Sequence, residues 1–246
     1  MNKLLTTVIS TLAVLGTFPS QAQAEDPKPD NELSYNAAVT SDYRFRGISQ
    51  TRLQPALQGG ADYTHNPIGL YLGTWLSTIK WTKDAGGGGN VELDLYGGKR
   101  GEIVKDLSYD VGVLSYVYPS NSLHPNANTT EIYGQLGYGV AYAKYSNAMT
   151  NLFGFVDSKN SGYLDIGANI DVPYGMTANL HAGRQKVRSN TSASYTDWKI
   201  GLTKDFGIVT GAAAIIGTNT DSYVGPGAGG KNLGKNALVV TVSKTF

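Results

Sequence analysis

Apolar and polar positions alternate with a period of two over most of the chain beyond residue 30, the pattern of strands with two unlike faces. The clearest stretch runs from Leu33 to Arg46. Leu33, Tyr35, Ala37, Val39, Tyr43 and Phe45 share one parity, while Ser34, Asn36, Thr40, Asp42, Arg44 and Arg46 share the other. At roughly 3.3 Å per residue, such a strand crosses a tilted barrel wall and projects beyond it. Eleven further strands are predicted at 55–65, 69–81, 90–99, 105–118, 129–137, 139–147, 162–171, 176–187, 195–204, 207–218 and 236–246. Turn residues separate them, and no stretch carries a helical period. An even count lets both ends of a barrel lie on one side.

The connections give a second test of the same reading. If the first strand rises from the periplasm, alternate connections should be short turns. They are 65–68, 99–105, 137–139, 171–175 and 204–207. The intervening ones, 47–54, 82–89, 119–128, 147–161, 186–194 and 219–235, are mostly longer. Short turns inside and long loops outside is the asymmetry of an outer-membrane barrel. Tyr43, Phe45, Trp81, Tyr116, Tyr118, Tyr195 and Trp198 fall toward the predicted outer rim, and Tyr35, Tyr63, Tyr109 and Phe246 toward the inner one. Two aromatic girdles are therefore expected. The core of a soluble sandwich is the rival origin for such aromatics, since it shares the alternation.

The two ends refine the picture. Leu238, Val240, Val242 and Phe246 alternate toward one face, with Lys244 interrupting. Ala237, Thr241, Ser243 and Thr245 face the other way with Val239. A last strand closing on Phe246 has the form of the signal read by barrel-assembly machinery, although an ordinary edge strand can also end so. At the other end, Lys3 precedes an apolar run from Leu4 to Phe18, and Ala22-Gln23-Ala24 fits the A-x-A cleavage pattern. A cleavable signal peptide is expected at 1–24 and a barrel domain at 25–246. The apolar run is shorter than the roughly 20 residues of a membrane-spanning helix.

Composition narrows the class further. The chain has 31 Gly and 16 Tyr, which suit crowded lumen walls and membrane interfaces, and no Cys, which excludes a disulfide scaffold. A formal charge of +1, Lys3 included, argues against a nucleic-acid surface.

Several segments resemble the TorF family of porins. The run 39–50, with Asp42, Tyr43, Arg44, Phe45, Arg46 and Gly47 at its centre, followed by Pro55 to Gly59, is similar to the opening of that family. Glu92 to Gly98, Tyr116 to Pro119, Lys144 to Ser146 and Tyr195 to Gly201 are similar to its later segments. The similarity covers essentially the whole chain after residue 24, and the glycine run 86–89 and the stretch 225–235 read as local elaborations. The resemblance implies an outer-membrane barrel with a pore.

On a barrel the polar parity faces the lumen. It comprises Asp42, Arg44, Arg46, Gln58, Asp62, Glu92, Asp94, Asp110, Glu131, Gln135, Asp165, Asn169, Asn179, His181, Asp197 and Lys199. That many ionisable groups would be prohibitive in a dry core, where each unpaired charge costs several kcal/mol, so a wet lumen is expected. The competing arrangement is a closed lumen of salt bridges or an inward-folded loop. Acidic residues outnumber basic ones here, which predicts a mild preference for cations.

Catalysis finds little support. His65 falls in a short turn, His124 in a long loop and His181 alone on the lumen parity, without the nucleophile and base that hydrolysis needs. No spacing suggests a metal site, and no cofactor is expected. Gly225, Gly230 and Lys231 match G-x-x-x-x-G-K, but Asn232 replaces the Ser or Thr that would hold magnesium, so this is a loop.

The sequence thus predicts an all-β protein, a transmembrane antiparallel up-and-down barrel of about twelve strands. Its partners would be outer-membrane lipids, the assembly machinery and small polar solutes or ions, with no nucleic acid. Passive diffusion is the leading role. A non-conducting barrel acting through its loops is the runner-up.

Overall fold

A computed structural model describes residues 29–226 and 230–246. The expected signal peptide at 1–24 lies outside the described residues. The chain forms β1 (Asn31–Thr40), a small hairpin of β2 (Arg44–Phe45) and β3 (Ile48–Ser49), then β4 (Ala56–His65) and β5 (Leu70–Thr78). There follow β6 (Val91–Val104), β7 (Leu107–Val117), β8 (Thr129–Tyr138), β9 (Ala141–Ala148) and β10 (Gly162–Val172). The last four are β11 (Met176–Lys186), β12 (Tyr195–Asp205), β13 (Thr210–Thr218) and β14 (Ala237–Thr245). All but β2 and β3 join one closed antiparallel barrel, each strand beside its sequence neighbour. β1 completes the ring, pairing Thr40 with Ala56 of β4 and Thr40 with Thr241 of β14.

The alternation sorts each strand between two environments. On β8, Thr129, Glu131, Tyr133 and Gln135 are buried while Ile132 and Leu136 are exposed. On β14, Leu238, Val240 and Val242 are exposed and Val239 and Ser243 buried. Leu57, Leu72, Leu95, Val111, Ile166 and Ile200 continue this exposed apolar band around the wall. Apolar outside and polar inside inverts a soluble domain and suits a barrel solvated by lipid. Inward glycines make room for lumen tyrosines: a Cβ on Gly112 would stand 2.6 Å from Tyr133 Oη.

The connections divide as expected. Those at 66–69, 105–106, 139–140, 173–175 and 206–209 are short, and those at 41–55, 79–90, 118–128, 149–161, 187–194 and 219–236 are long. β6 continues through Lys99 to Val104, shrinking the predicted 99–105 turn to two residues. The predicted 69–81 strand ends at Thr78, and Trp81–Asp84 form a helical turn.

The main correction concerns the first strand. It stops at Thr40, not Arg46, and residues 41–55 fold into the barrel as the β2–β3 hairpin. Arg46 and Gly47 carry φ of 46° and 80°, the paired left-handed conformations of a type I′ turn. Alternation continued through this hairpin because a hairpin alternates as a wall strand does. The outer aromatic girdle is corrected with it. Tyr43, Tyr116, Tyr118 and Tyr195 are buried inside, and Phe45 and Trp81 pack against that interior cluster. Trp198 keeps the outward parity, as do Tyr35, Tyr63 and Tyr109 toward the short-turn end.

Candidate functional site in the lumen

The lumen is built from inward side chains of the strands and from the hairpin that enters it. Asp42 roots the hairpin: its carboxylate accepts from Ser49 Oγ at 2.5 Å, Arg44 Nε at 2.7 Å and Thr51 Oγ1 at 3.3 Å. Arg44 Nη1 also donates to the carbonyls of Gly47 at 3.0 Å and Lys235 at 2.7 Å. Asp42 and Arg44 therefore stabilise the loop itself and stand on no wall strand.

Arg46, at the hairpin tip, crosses to the far wall. Its Nη2 donates to Glu131 on β8 at 2.6 Å and its Nη1 to Gln185 on β11 at 2.6 Å. The guanidinium also lies 4.2 Å from the Tyr163 ring centre. A charged pair with both side chains almost wholly buried is far less screened than a surface pair. Aromatic packing seals the same level. Phe45 meets Tyr116 and Phe153 edge-on at 5.3 and 5.4 Å, Tyr43 meets Trp75 at 5.4 Å, and Trp81 meets Tyr118 at 4.9 Å.

The long loops pack above this layer. Leu152, Val187 and Ala193 form one apolar cluster and Ile48, Tyr195 and Leu233 another, with Tyr223 against both. Tyr223 Oη donates to the Ala193 carbonyl at 2.8 Å, and burial pushes its hydroxyl pKa up to about 12, so it stays a neutral donor.

Gln58, Asp62, Glu92, Asp94, Asp110, Glu131, Asp165, His181, Asp197 and Lys199 all project inward from barrel strands, in separate groups. Glu92 accepts from Tyr43 Oη at 2.6 Å, Asp62 from Tyr96 Oη at 2.5 Å and Asp110 from Tyr71 Oη at 2.6 Å. On the opposite wall His181 is clamped between Asp165 and Asp197, each 2.7 Å from one ring nitrogen. Tyr142 and Tyr163 donate to those carboxylates at 3.1 and 2.9 Å. With both nitrogens engaged by carboxylates, the imidazole cross-links three strands and has none left to activate a nucleophile. Lys199 lies within electrostatic reach of the same two aspartates.

Sequence reasoning missed Tyr163, Gln185 and Lys144, whose Nζ sits 3.9 Å from the Tyr133 ring centre. Parity could have found all three, since Tyr163 shares that of Asp165, Gln185 that of His181 and Lys144 that of Tyr142. The lumen is dry at the hairpin level, where Glu92, Asp94, Glu131 and Asp197 are no more than 2% exposed. Nearer the short turns, Asp62, Asn169 and Asn179 are partly exposed.

This is a closed twelve-strand antiparallel barrel with a polar interior, the architecture of porins. The KdgM porin solved in complex with disordered oligogalacturonate aligns with a TM-score of 0.56 at 7% identity, over 87% of this chain and 98% of that one. The NanC porin aligns with a TM-score of 0.53 at 9% identity, over 87% and 98%. At such identities the likeness is one of fold. The chain belongs to the family described as bacterial protein of unknown function (Gcw_chp), whose pattern matches residues 23–246. That description carries neither the TorF name nor a function, so the TorF relation remains a resemblance. No curated protein matches the chain.

Proposed function

We propose that this protein is a porin-like, non-enzymatic channel of the outer membrane that passes small hydrophilic solutes or ions by diffusion. The observation that carries the reading is the inversion of the barrel: an apolar outward band encloses an interior carrying ionisable side chains on most strands. Lipid stabilises the first; the second is held by ion pairs and tyrosine hydrogen bonds at the hairpin level and is open to water nearer the short turns. Export through the signal peptide at 1–24 and assembly through the strand ending at Phe246 belong to the same proposal. The hairpin at 41–55, with Arg46 across the lumen, would set what passes, and the inward excess of carboxylates would favour cations.

The second reading is a non-conducting scaffold acting through its loops. It is favoured by the dry layer of Tyr43, Tyr116, Glu131 and Leu152 and by the packed loops above it. Single-channel recording of the refolded protein in planar bilayers separates the two, once heat-modifiable gel migration has shown folding. Discrete steps scaling with salt are expected. A folded barrel that stays silent gives the scaffold reading instead.

A further inference from the structure

Along the wall strands every carboxylate has the inward parity, so the outward face carries no negative charge. Its charges are Lys99, Arg184, Lys186, Lys204 and Lys244, all positive. Lys99, Lys204 and Lys244 stand on three different strands, β6, β12 and β14, toward the short turns. Toward the long loops the outward charge is confined to β11, as Arg184 and Lys186, and Arg188 continues the line just beyond the strand. All three are exposed. Among the described residues none of them has a carboxylate within ion-pair distance. The Arg184 guanidinium donates to Thr196 Oγ1 at 3.2 Å through Nη1, which leaves its other N–H groups to a further acceptor.

The surroundings fix what such a stripe can meet. Leu180 and Ala182 precede it on the same face of β11, and Ile200 and Trp198 lie directly beside them on β12. One face therefore runs from apolar side chains past an interfacial tryptophan to cations, the order of layers in a lipid leaflet. On the other flank Tyr145 of β9 folds over Gly162, the direct partner of Lys186, and a Cβ at Gly162 would collide with the Tyr145 hydroxyl. That hydroxyl and Thr196 set a neutral polar group on either side of the two cations.

We infer that the outward patch of Arg184, Lys186 and Tyr145 is a docking site for lipopolysaccharide, the phosphorylated glycolipid of the leaflet on the long-loop side. Its phosphates lie on the two cations and its acyl chains along Leu180 and Ile200. A guanidinium meets a phosphate with paired N–H donors, and the ammonium about 7 Å further along the strand reaches the same phosphate or the next. The flanking hydroxyls suit the sugar that carries those phosphates. A phospholipid of the opposite leaflet meets instead the scattered lysines at the short-turn end. β11 also carries His181 and Gln185 on its inner face, so the lipid braces the wall against which Arg46 is held. The inference rests on the outer-membrane placement proposed above and not on conduction.

Native mass spectrometry of the refolded protein in detergent, titrated with purified rough lipopolysaccharide, tests this once heat-modifiable migration has shown folding. The parent is expected to hold the lipid, and the double variant Arg184→Gln, Lys186→Gln to bind it about tenfold more weakly. Dephosphorylated lipopolysaccharide should bind the parent as poorly. Lys99→Gln with Lys204→Gln, at the opposite rim, should bind like the parent. Parent-like binding by the Arg184, Lys186 variant or of the dephosphorylated lipid overturns the assignment, and so does displacement by an equal concentration of phosphatidylglycerol. The dephosphorylated lipid decides the matter on the parent even where the double variant does not fold. Density-gradient fractionation of the cell envelope keeps the two failures apart. A barrel in the outer membrane that ignores lipopolysaccharide removes this site alone, and a chain absent from that fraction removes the placement on which it rests.

Discussion

Gly47 shows how narrowly the hairpin is fitted. Its φ of 80° is costly for any residue with a Cβ, and a Cβ there would stand 2.5 Å from Thr218 Cγ2 and 2.7 Å from Asp197 Cβ. Gly47→Val should therefore cost about 1–3 kcal/mol and lift the hairpin tip off the β12–β13 wall. A lowered midpoint of heat-modifiable migration, with larger or noisier conductance, is the expected reading. An unchanged midpoint would show that the tip does not rest there. Arg46→Gln removes the charge held against Glu131 and leaves that carboxylate buried and unpaired, a loss of about 3–5 kcal/mol. In a conducting barrel, reversal potentials should shift toward cations in Arg46→Gln and in the double Arg44→Gln, Arg46→Gln variant. Potentials identical to the parent would refute Arg46 as the residue that sets selectivity.

The hairpin as an element is separable from the wall. Thr40 and Ala56 are already direct partners, so a two-residue turn suffices to join β1 to β4. Replacing residues 42–54 by a short Asn-Gly linker should keep the barrel folded and raise conductance several-fold by removing Arg46 and Phe45 from the lumen. If conductance stays the same, the aromatic layer of Trp75, Tyr116, Tyr118 and Phe153 closes the barrel without the hairpin. The wall strands were legible because alternation, turn residues and loop asymmetry agree on them. The hairpin was not, because its period matches that of a wall strand and only pairing distinguishes the two. Asp42 shows the difference: three donors gather on it from within 41–55, a local choice with no signature in parity.

For the whole molecule, solvent decides which face is which. The outward band should tolerate polarity poorly in lipid, so Ile132→Arg, near the middle of β8, is expected to cost about 2–4 kcal/mol in bilayers. Urea titration of the barrel in liposomes measures this. A cost near zero there would mean that this face does not contact hydrocarbon. Closure matters as much as solvent, because a ring of strands leaves no unpaired edge in the membrane.

Strand number, direction and the inward or outward facing of Glu92, Asp165, His181 and Asp197 followed from the sequence alone, since a period of two assigns a face to each residue once the strands are found. The same parity rule, applied to Tyr116 and Tyr195, would have placed them inside with Asp110 and Asp197. Proximity to a strand end suggested a girdle instead. Only the tertiary structure decided which inward residues meet. Whether Arg46 pairs with Glu131 or His181 with two aspartates depends on barrel closure and on a hairpin path across the lumen. These bring together residues such as Arg46 and Gln185, distant in sequence, and no local pattern encodes that distance.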